Sequence, residues 1–371
     1  MAKVNRTCLL DSLKKVTKVT PNTSTVPALK GVLVEMENNQ IKLSATNLKT
    51  SIITIINCDT GMFSDSFVAD AKLLHDIVSK ISSKDIEITF SSGDINIKGD
   101  GSNFNIRYIG EKNIFPSIEQ IISDNKEIVL KSDILRELTA KTIPFTAEDE
   151  TRPTLTGVKL EFIENKLIGT SLDGYRLGHY VANIENDKEI NLLIEAEALS
   201  NVVKTIDKEF ISITYNENSN LVGFILGETS IFTQQLAGQC FDYKNILKPD
   251  NYRTRLIVNS TVLKESIERV SIVARERGGF NPTNISIEGN NLVLTAKNEI
   301  GTVVEKIDIE TLEGEAMNYK ISFNPNYLLG GIKATSSEKI EMRFNGEVNP
   351  GYIIEEENNF IYLALPIRMA A

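Results

Sequence analysis

The chain of 371 residues has few of the side chains on which catalysis and metal binding commonly depend. It has two histidines and three cysteines, and Cys8, Cys58 and Cys240 are widely separated with no Cys-x-x-Cys pair. This spacing argues against a disulfide framework and against a zinc site. His75 and His179 have no neighbouring cluster with metal-ligand spacing, so we expect neither to bind a metal or to catalyse a reaction.

The sequence also lacks the motifs of common nucleotide-binding and hydrolytic sites. It contains no G-x-x-x-x-G-K-[ST], no G-x-G-x-x-G between strand and helix patterns, and no G-x-S-x-G. No stretch approaches the roughly 20 apolar residues that cross a bilayer, and the N-terminal segment does not resemble a signal peptide. We therefore expect a cytosolic protein with no membrane partner, no cofactor, no metal and no catalytic residue.

What the sequence does contain is one pattern that occurs three times. Amphipathic helix patterns begin at Leu9, Ile134 and Val262, and their corresponding leucines are 125 and 128 residues apart. Each is followed by an alternating strand pair with an Asn- or Gly-rich turn, then by a second helix pattern and further strands. We predict an α+β fold of three tandem domains, each with two helices on antiparallel sheets. The predicted limits are 1–125, 126–251 and 252–371.

The net charge of −10 argues, taken alone, against a general nucleic-acid binder, which is usually basic. The charge is unevenly distributed along the chain, however. The six segments predicted to be helical have a combined net charge of +5, which leaves −15 for the predicted strands and loops. A cationic helix surface is one interpretation, and the ordinary preference of Lys and Arg for helices is another. The acidic run at 355–357 is most simply a set of solvated loop charges.

Several motifs connect this threefold organisation to a known family. They are LDGYRL (172–177), FNPNYLL (323–329), YLALPIRM (362–369), VPALKGV (26–32) and FDYKNIL (241–247). Together they resemble the bacterial sliding clamp, the beta subunit of DNA polymerase III, over the whole chain. The resemblance implies a head-to-tail dimeric ring with helices around the hole and sheets outside. It also implies a non-catalytic processivity subunit of the polymerase holoenzyme, which encircles duplex DNA in replication.

The resemblance also implies the partners. They are duplex DNA, bound without sequence preference through its phosphates, a second copy of the chain, the replicative polymerase subunit, the clamp loader and other proteins with a clamp-binding peptide. The loader's ATPase must come from another protein, because this chain has no nucleotide-binding loop.

In this family a turn, a helix and the C-terminal tail form a groove for a short peptide with glutamine and apolar anchors. Aligning the repeats puts Asn47, Asp173 and Asn298 at the same turn, and only the second copy continues as Gly-Tyr-Arg-Leu. Apolar side chains would fill the pocket, and Asn324 and Arg368 would hydrogen-bond the peptide. The resemblance assigns to this groove Leu155, Leu172, Gly174, Tyr175, Arg176, Leu177, Phe241, Ile246, Asn324, Tyr327, Leu363, Leu365, Pro366, Ile367 and Arg368.

The resemblance also assigns DNA contacts and a dimer interface. Across the interface, Phe104 and Ile106 would meet Ile272 and Val273 of the second copy, and a ring that closes after two copies leaves no open edge. The candidate DNA contacts on helices are Lys14, Lys15, Lys72, Lys80, Arg136, Lys141, Lys204, Lys264, Arg269 and Lys333. The candidate DNA contacts in loops are Arg152, Arg275 and Arg277.

Departures from the family pattern affect these assignments. PNTSTVP (21–27) lacks an arginine that some members have, Phe241 replaces a proline, Asn245 stands where a basic residue is common, and Ala370 and Ala371 extend the tail. Two other interpretations stay open: a three-repeat scaffold that binds proteins but does not encircle DNA, and a carbohydrate or nucleotide enzyme with a cryptic site. A dimer with a central hole supports the clamp, whereas the scaffold predicts a monomer that is indifferent to DNA.

Overall fold

The structure is a computed structural model. It describes residues 1–61, 64–91, 93–118, 127–149, 151–216, 219–238, 240–276, 279–314, 317, 319–355 and 359–368. Within these residues the predicted α+β class is confirmed, because helices alternate with strands whose pairings are all antiparallel. None of the helices described is both long enough and apolar enough to span a bilayer.

The elements follow the threefold pattern of the sequence. The first repeat contains β1 (Ala2–Asn5), α1 (Arg6–Val16), β2 (Gly31–Glu37), β3 (Gln40–Thr46), β4 (Thr50–Asn57), β5 (Asp65–Asp70), α2 (Ala71–Lys80), β6 (Asp85–Ser91), β7 (Asp94–Gly99), β8 (Ser102–Arg107) and β9 (Gly110–Glu111). The second contains β10 (Glu127–Lys131), α3 (Ser132–Thr142), β11 (Gly157–Ile163), β12 (Lys166–Leu172), β13 (Arg176–Asn183), β14 (Ile190–Glu195), α4 (Ala196–Thr205), β15 (Phe210–Asn216), β16 (Leu221–Leu226), β17 (Thr229–Gln234) and α5 (Tyr243–Ile246).

The third repeat has the same order of its main elements. It contains β18 (Thr254–Asn259), α6 (Ser260–Ala274), β19 (Arg275–Glu276), β20 (Gly279–Phe280), β21 (Thr283–Glu288), β22 (Asn291–Lys297), β23 (Thr302–Asp308), β24 (Thr311–Gly314), β25 (Ile321–Phe323), α7 (Pro325–Lys333), β26 (Lys339–Phe344), β27 (Gly351–Glu355) and β28 (Phe360–Ala364). Short 3-10 turns occupy Pro27–Lys30, Lys112–Ile114, Ile143–Phe145 and Pro153–Leu155.

Each repeat begins with a strand that the sequence analysis did not predict. These strands, β1, β10 and β18, are four to six residues long, which is too short for a clear alternating pattern. Two of them end on an asparagine that caps the helix after it. The Oδ1 atom of Asn5 accepts hydrogen bonds from the backbone N–H groups of Thr7 and Cys8 at 3.0 and 3.2 Å. Asn259 accepts from Val262 in the same way at 3.0 Å.

The hairpin turns predicted from Asn-rich pairs are confirmed. Asn38 and Asn39 have φ of 53° and 59°, and Glu164 and Asn165 have φ of 49° and 60°. Two successive left-handed residues make the type I′ turn, whose twist matches that of the flanking strands. Asparagine tolerates this backbone better than most residues, so the sequence signal for these turns was local and strong.

The chain divides into two compact units, which do not coincide with the repeats. One unit comprises Met1–Asp133 and Glu197–Gln235, and the other comprises Ile134–Ala196 and Leu236–Ala371. The second repeat is thus divided between them, and the three predicted domain limits stay a prediction.

In each unit a long sheet joins strands of two repeats. In the first unit the order β10-β15-β16-β17-β4-β3-β2-β5-β9 pairs β17 of the second repeat with β4 of the first. In the other unit the order β14-β11-β12-β13-β28-β27-β26-β18-β24 pairs β13 with β28 of the third repeat. The remaining larger sheets have the orders β1-β6-β7-β8 and β23-β22-β21-β25.

The helices bury apolar faces with the spacing that the sequence predicted. In α6 the buried residues include Leu263, Ile267, Val270 and Ala274, which recur every three or four positions and so share one face. The cysteines are unbonded thiols, and burial together with the neighbouring Asp59 raises the pKa of Cys58 to about 11.

The main exception to the apolar interior is a buried ion pair between α3 and β27. Lys141 is 2% exposed, and its ammonium group donates to the carboxylate of Glu355, which is also 2% exposed. The Oε1 atom of Glu355 accepts backbone N–H groups of Ser336 and Ser337 at 2.7 and 3.1 Å. Burial opposes ionisation of Glu355, but hydrogen bonds from Lys141 and Ser336 hold its pKa below the ordinary value.

This ion pair corrects two expectations from the sequence. Lys141 was expected to be a surface cation that contacts DNA, but its charge is inside the protein and is satisfied there. Glu355 was expected to be a solvated loop charge, but it ends a buried strand. The two residues are 214 positions apart, so no local pattern connects them.

We predict that Lys141→Met destabilises the unit by about 3 kcal/mol, because it leaves the Glu355 carboxylate buried without its counter-ion. Urea denaturation followed by circular dichroism measures the change. The double variant Lys141→Met with Glu355→Gln should recover part of this loss, since no buried charge remains and the glutamine oxygen can still accept the Ser336 and Ser337 N–H groups. Lys333→Met, at an exposed position of α7 in the same unit, is the matched control and should change stability by less than about 0.5 kcal/mol. Equal stabilities of Lys141→Met and this control would contradict the prediction.

Candidate binding groove and helix cations

The turn between β12 and β13 is held by the side chain of Asp173. Its Oδ1 atom accepts hydrogen bonds from the backbone N–H groups of Tyr175 and Arg176, both at 2.8 Å. Gly174 has φ of 97°, a backbone conformation that side chains with a Cβ rarely adopt. This geometry leaves the Tyr175 side chain 58% exposed at the tip of the turn.

The corresponding turns of the other repeats have the same geometry. The Oδ1 atom of Asn47 accepts from the N–H groups two and three residues later, at 3.0 and 2.7 Å, and Asn298 does so at 2.8 Å for both. The side-chain acceptor therefore shapes all three turns, as the sequence alignment predicted. Each turn also exposes one large apolar side chain: Leu48, Tyr175 or Ile300.

Arg176 connects this turn to helix α7. Its Nε donates to Oδ2 of Asp173 at 2.9 Å, and its guanidinium carbon lies 4.7 Å from the centre of the Tyr327 ring. The Tyr175 and Tyr327 rings are 6.2 Å apart between centres. Burial and the nearby Asp173 carboxylate raise the pKa of Tyr327, because both disfavour the phenolate. The carboxylate, the guanidinium and the two aromatic rings thus form one cluster, which would be one side of the predicted groove.

The floor of the groove is an apolar cluster centred on the pairing of β13 with β28. Leu177 and Leu363 are directly opposite in this pairing, and both are buried. The tail after β28 is fastened to the turn, because the Leu365 N–H donates to the Tyr175 carbonyl at 2.8 Å. The other members of the cluster are Tyr243, Tyr352 and Ile354, with Leu172, Phe241, Leu247 and Ile361 partly buried against them.

The structure brings most of the predicted groove residues together, with differences in their roles. Leu177 and Leu363 form the floor and present little surface, whereas Leu365 and Ile367 are exposed on the tail and Pro366 is partly buried. The side-chain oxygen of Asn324 accepts the Asn326 N–H at 3.0 Å as the cap of α7, so a bond from Asn324 to a ligand would have to come from its amide N–H2. Outside the described apolar cluster lie Leu155, Ile246 and Arg368.

Sequence reasoning missed residues that hold the groove in place. Asp173 was recognised as a turn former but not as the partner of Arg176. Tyr243 and Tyr352 are buried in the floor, and the Tyr352 hydroxyl accepts the Lys248 N–H at 3.3 Å. Tyr243 lies inside the FDYKNIL motif, so a signal existed for it.

Polar side chains lie beside the apolar cluster, on the same face of β13 as Leu177. The His179 ring is 5.1 Å from the Tyr243 ring, and its Nδ1 shares a hydrogen bond of 2.9 Å with the Thr170 hydroxyl. Burial lowers the pKa of His179 to about 4, although the Glu161 carboxylate acts in the opposite direction. Lys159 pairs with Glu161 at 3.0 Å. Among the described residues no three His, Cys, Asp or Glu side chains form a metal-binding group.

The predicted cations differ in how available their charges are. Lys15 donates to Asp207 at 2.6 Å, and Arg269 donates to both oxygens of Glu305 at 3.0 and 2.8 Å. The predicted cations with exposed side chains are Lys14, Lys72, Lys80, Arg152, Lys204, Arg269, Arg275 and Lys333. Those with partly buried side chains are Lys15, Arg136 and Lys264, and Arg277 lies outside the described residues.

One cation cluster contains a lysine that sequence reasoning did not select. Lys18 follows α1, and its ammonium group donates to the Lys204 carbonyl and, at 3.3 Å, to the Thr205 hydroxyl. Burial and then the charges of Lys15 and Lys204 lower its pKa. Lys15, Lys18 and Lys204 thus lie within electrostatic range of one another, and Asp207 acts on Lys18 in the opposite direction. Such a cluster attracts anions, phosphate among them.

An apolar patch lies at the C-terminal end of α6. Ile272 is 74% exposed and Ile300 is 95% exposed. The Asn298 side chain donates to the Val273 carbonyl at 2.7 Å, which ties the turn to the helix. β23 is at one end of its described sheet, and β8 is at the end of another. Large exposed apolar side chains beside a sheet edge indicate an interface.

Comparison with known proteins assigns all three repeats to one family. Models of the DNA polymerase III beta subunit N-terminal, central and C-terminal domains match residues 2–118, 129–242 and 245–368. A beta sliding clamp of Staphylococcus aureus is 30% identical over 374 residues, which cover 98% of this chain and 96% of that protein. A beta sliding clamp of Bacillus subtilis is 27% identical and is matched over 97% of both chains. The solved DNA polymerase sliding clamp from Bacillus subtilis has a TM-score of 0.92 at 26% identity, covering 100% of this chain and 99% of that one.

We predict that His179 makes the folded chain less stable as the pH falls from 6.5 to about 4. In this window the unfolded chain binds a proton on this imidazole and the folded chain does not, so the folded state loses up to about 3 kcal/mol. His179→Gln keeps a partner for Thr170 but does not titrate. Urea denaturation at a series of pH values should show a shallower loss of stability for the variant. Identical pH profiles for the two proteins would contradict the prediction.

Proposed function

The chain belongs to the DNA polymerase III beta subunit family of sliding clamps, and from this membership we propose that two copies close head to tail around duplex DNA. As a member of the family it is a non-catalytic processivity factor of DNA replication, which excludes the alternative of a cryptic enzyme. The observation that carries the proposal is that three successive domain models match the three repeats. We place the dimer in the cytoplasm, on DNA, and propose three clamp domains with limits near residues 125 and 251.

The apolar patch at the end of α6 supports ring closure. A monomer would expose Ile272 and Ile300 to water, which is unfavourable unless a partner covers them. The complementary surface is β8, where Phe104 and Ile106 point to the same side of an edge strand and are only partly buried. If the α6 patch of each copy packs against β8 of the other copy, both sheet edges are buried and the assembly closes.

The exposed helix cations support contact with DNA phosphates. Phosphate contacts have no sequence preference and exchange with salt, so a protein that uses them can slide. The segments predicted to be helical have a net charge of +5 and the remainder of the chain −15, so non-specific DNA is repelled from most of the surface. Lys18 joins Lys15 and Lys204 in the proposed contact set, and Lys141 does not belong to it.

The groove around Tyr175 supports binding of a short partner peptide. Its floor is apolar and one side presents Arg176 and two aromatic rings, which is the composition of a small hot-spot site. We propose the replicative polymerase, the clamp loader and other replication proteins as its partners. Loading the ring requires an ATPase from another protein.

We predict that Ile272→Asp weakens the dimer about 30-fold or more, since a charge replaces an apolar side chain at the centre of the proposed interface. Analytical ultracentrifugation measures the dissociation constant. Val262→Asp is the matched control, because it places the same charge at an exposed position on the first turn of α6, away from the patch. An unchanged dimer for Ile272→Asp would contradict this interface.

The same variants test encirclement of DNA. The wild-type chain and Val262→Asp, loaded by the cognate clamp loader, should remain on nicked circular plasmid through gel filtration in high salt and should be released when the plasmid is linearised. Ile272→Asp should not remain on either form. Equal retention on circular and linear plasmid would show that the chain is a scaffold and not an encircling clamp.

We predict that Tyr175→Ala weakens binding of a synthetic peptide with a glutamine and two apolar anchors about tenfold. The variant removes an exposed ring that lies against Tyr327 but leaves the Asp173 hydrogen bonds in place. Fluorescence anisotropy with a labelled peptide measures the affinity. Phe210→Ala removes a comparably exposed ring from β15 and should bind the peptide as the wild type does. Equal affinities of the two variants would place the peptide elsewhere.

A further inference from the structure

Three polar side chains on one face of a sheet adjoin Tyr243, and the proposed function gives none of them a role. Lys159 and Glu161 alternate along β11 with buried core residues, so they project from the opposite face of the strand. His179 is on the same face as Lys159, because each of them is directly opposite Thr170 in its strand pairing. These side chains lie on the outer surface of the sheet and not in its core.

Lys159 and Glu161 form an ion pair that is largely shielded from water. The Nζ atom of Lys159 is 3.0 Å from Oε1 of Glu161, and the two side chains are 17% and 12% exposed. The other carboxylate oxygen, Oε2, is buried and has no hydrogen-bond partner among the described residues. A shielded ion pair is often no more stabilising than apolar residues of the same size, and a buried oxygen without a partner is costly. Stability of the fold is therefore a weak reason for this pair.

The ion pair contacts the connector between the second and third repeats (residues 241–248) through Tyr243. The Lys159 ammonium group is 5.2 Å from the centre of the Tyr243 ring, within the range of a cation–π interaction. Burial raises the pKa of Tyr243, and a hydrogen bond to Glu161 and the charge of its carboxylate act in the same direction. The His179 ring is 5.1 Å from the Tyr243 ring. Tyr243 thus has polar contacts to the sheet in addition to its contacts in the apolar cluster.

Tyr243 lies between two residues that the family resemblance assigns to the groove. Phe241 is partly buried against the apolar cluster, and Ile246 is 44% exposed. Tyr243 itself is 5% exposed and begins α5, and its carbonyl accepts the Leu247 N–H at 2.7 Å. Contacts that fix Tyr243 therefore also fix the backbone from which Phe241 and Ile246 project.

We propose that Glu161 and Lys159 are positioning residues of the peptide groove. They hold Tyr243 against the sheet and thereby place Phe241 and Ile246 for the apolar anchors of the peptide, which they do not touch themselves. This role rests on the proposed binding of a partner peptide in the groove. A connector that is fixed before binding loses less conformational entropy when the peptide docks, so the ion pair raises affinity without a direct contact.

Two substitutions test the contact through the affinity for the glutamine-containing peptide, measured by fluorescence anisotropy. Tyr243→Phe removes the hydroxyl and keeps the ring, whereas Glu161→Ala removes the carboxylate. Each should weaken binding about fivefold. The double variant should bind no more weakly than Glu161→Ala alone, because both changes remove the same contact. Glu161→Gln keeps an acceptor for the hydroxyl and should bind within about twofold of the wild type.

Hydrogen exchange of the Leu247 amide, followed by NMR without peptide, reports on the connector itself. Tyr243→Phe and Glu161→Ala should each accelerate this exchange about fivefold, and Glu161→Gln should not. Tyr252→Phe and Glu185→Ala are the matched controls, because they remove the same groups from exposed residues of the same unit. Both controls should leave the exchange and the affinity unchanged.

Three results would overturn the proposed role. They are losses of affinity that multiply in the double variant, an unchanged Leu247 exchange in Glu161→Ala, and a Glu161→Gln variant that binds as weakly as Glu161→Ala. Failure of the groove itself would look different. The wild type would then not bind the peptide at all, while the exchange of Leu247 would still respond to Glu161→Ala and not to Glu185→Ala.

Discussion

Backbone pairing between strands of neighbouring repeats is the interaction on which the rest of this structure depends. The pairings of β4 with β17 and of β13 with β28 extend each sheet from one repeat into the next. Unpaired N–H and C=O groups at a sheet edge are costly if buried and prone to association if exposed, so each pairing satisfies two edges at once. Because β13 follows the turn directly and β28 precedes the tail directly, the same pairing brings turn and tail together. The groove is thus a consequence of joining the sheets.

The same constraint relates the groove to the corresponding turns of the other two repeats. A turn with an Asx hydrogen bond recurs in each repeat, and each turn exposes a different apolar residue. At Tyr175 the adjoining strand belongs to the third repeat, and at Leu48 it belongs to the second. The turn at Ile300 precedes β23, which ends its described sheet. One architecture therefore provides three surfaces whose side chains have diverged.

Features that depend on neighbours in sequence could be predicted, and features that depend on distant partners could not. The helix faces, the Asn-Asn hairpin and the Asx turns follow from residues within a few positions of each other, and they are confirmed. The burial of Lys141 depends on Glu355, and the packing of Tyr352 depends on strands of two repeats, so no local pattern indicated either. The left-handed backbone of Leu48, with φ of 76°, was also hidden, because a leucine after an asparagine does not by itself indicate it.

The ion pairs of the helix cations bear on how a closed ring would hold DNA. Lys15 and Arg269 already donate to Asp207 and Glu305, so a phosphate must replace or share a carboxylate to bind there. Each such exchange returns little net free energy, since exposed ion pairs contribute only about 0–1 kcal/mol. Such contacts are too weak to hold a protein on DNA by affinity for the phosphates alone. A ring that is retained by linkage gains from them, because weak and exchangeable contacts guide the duplex without opposing its movement.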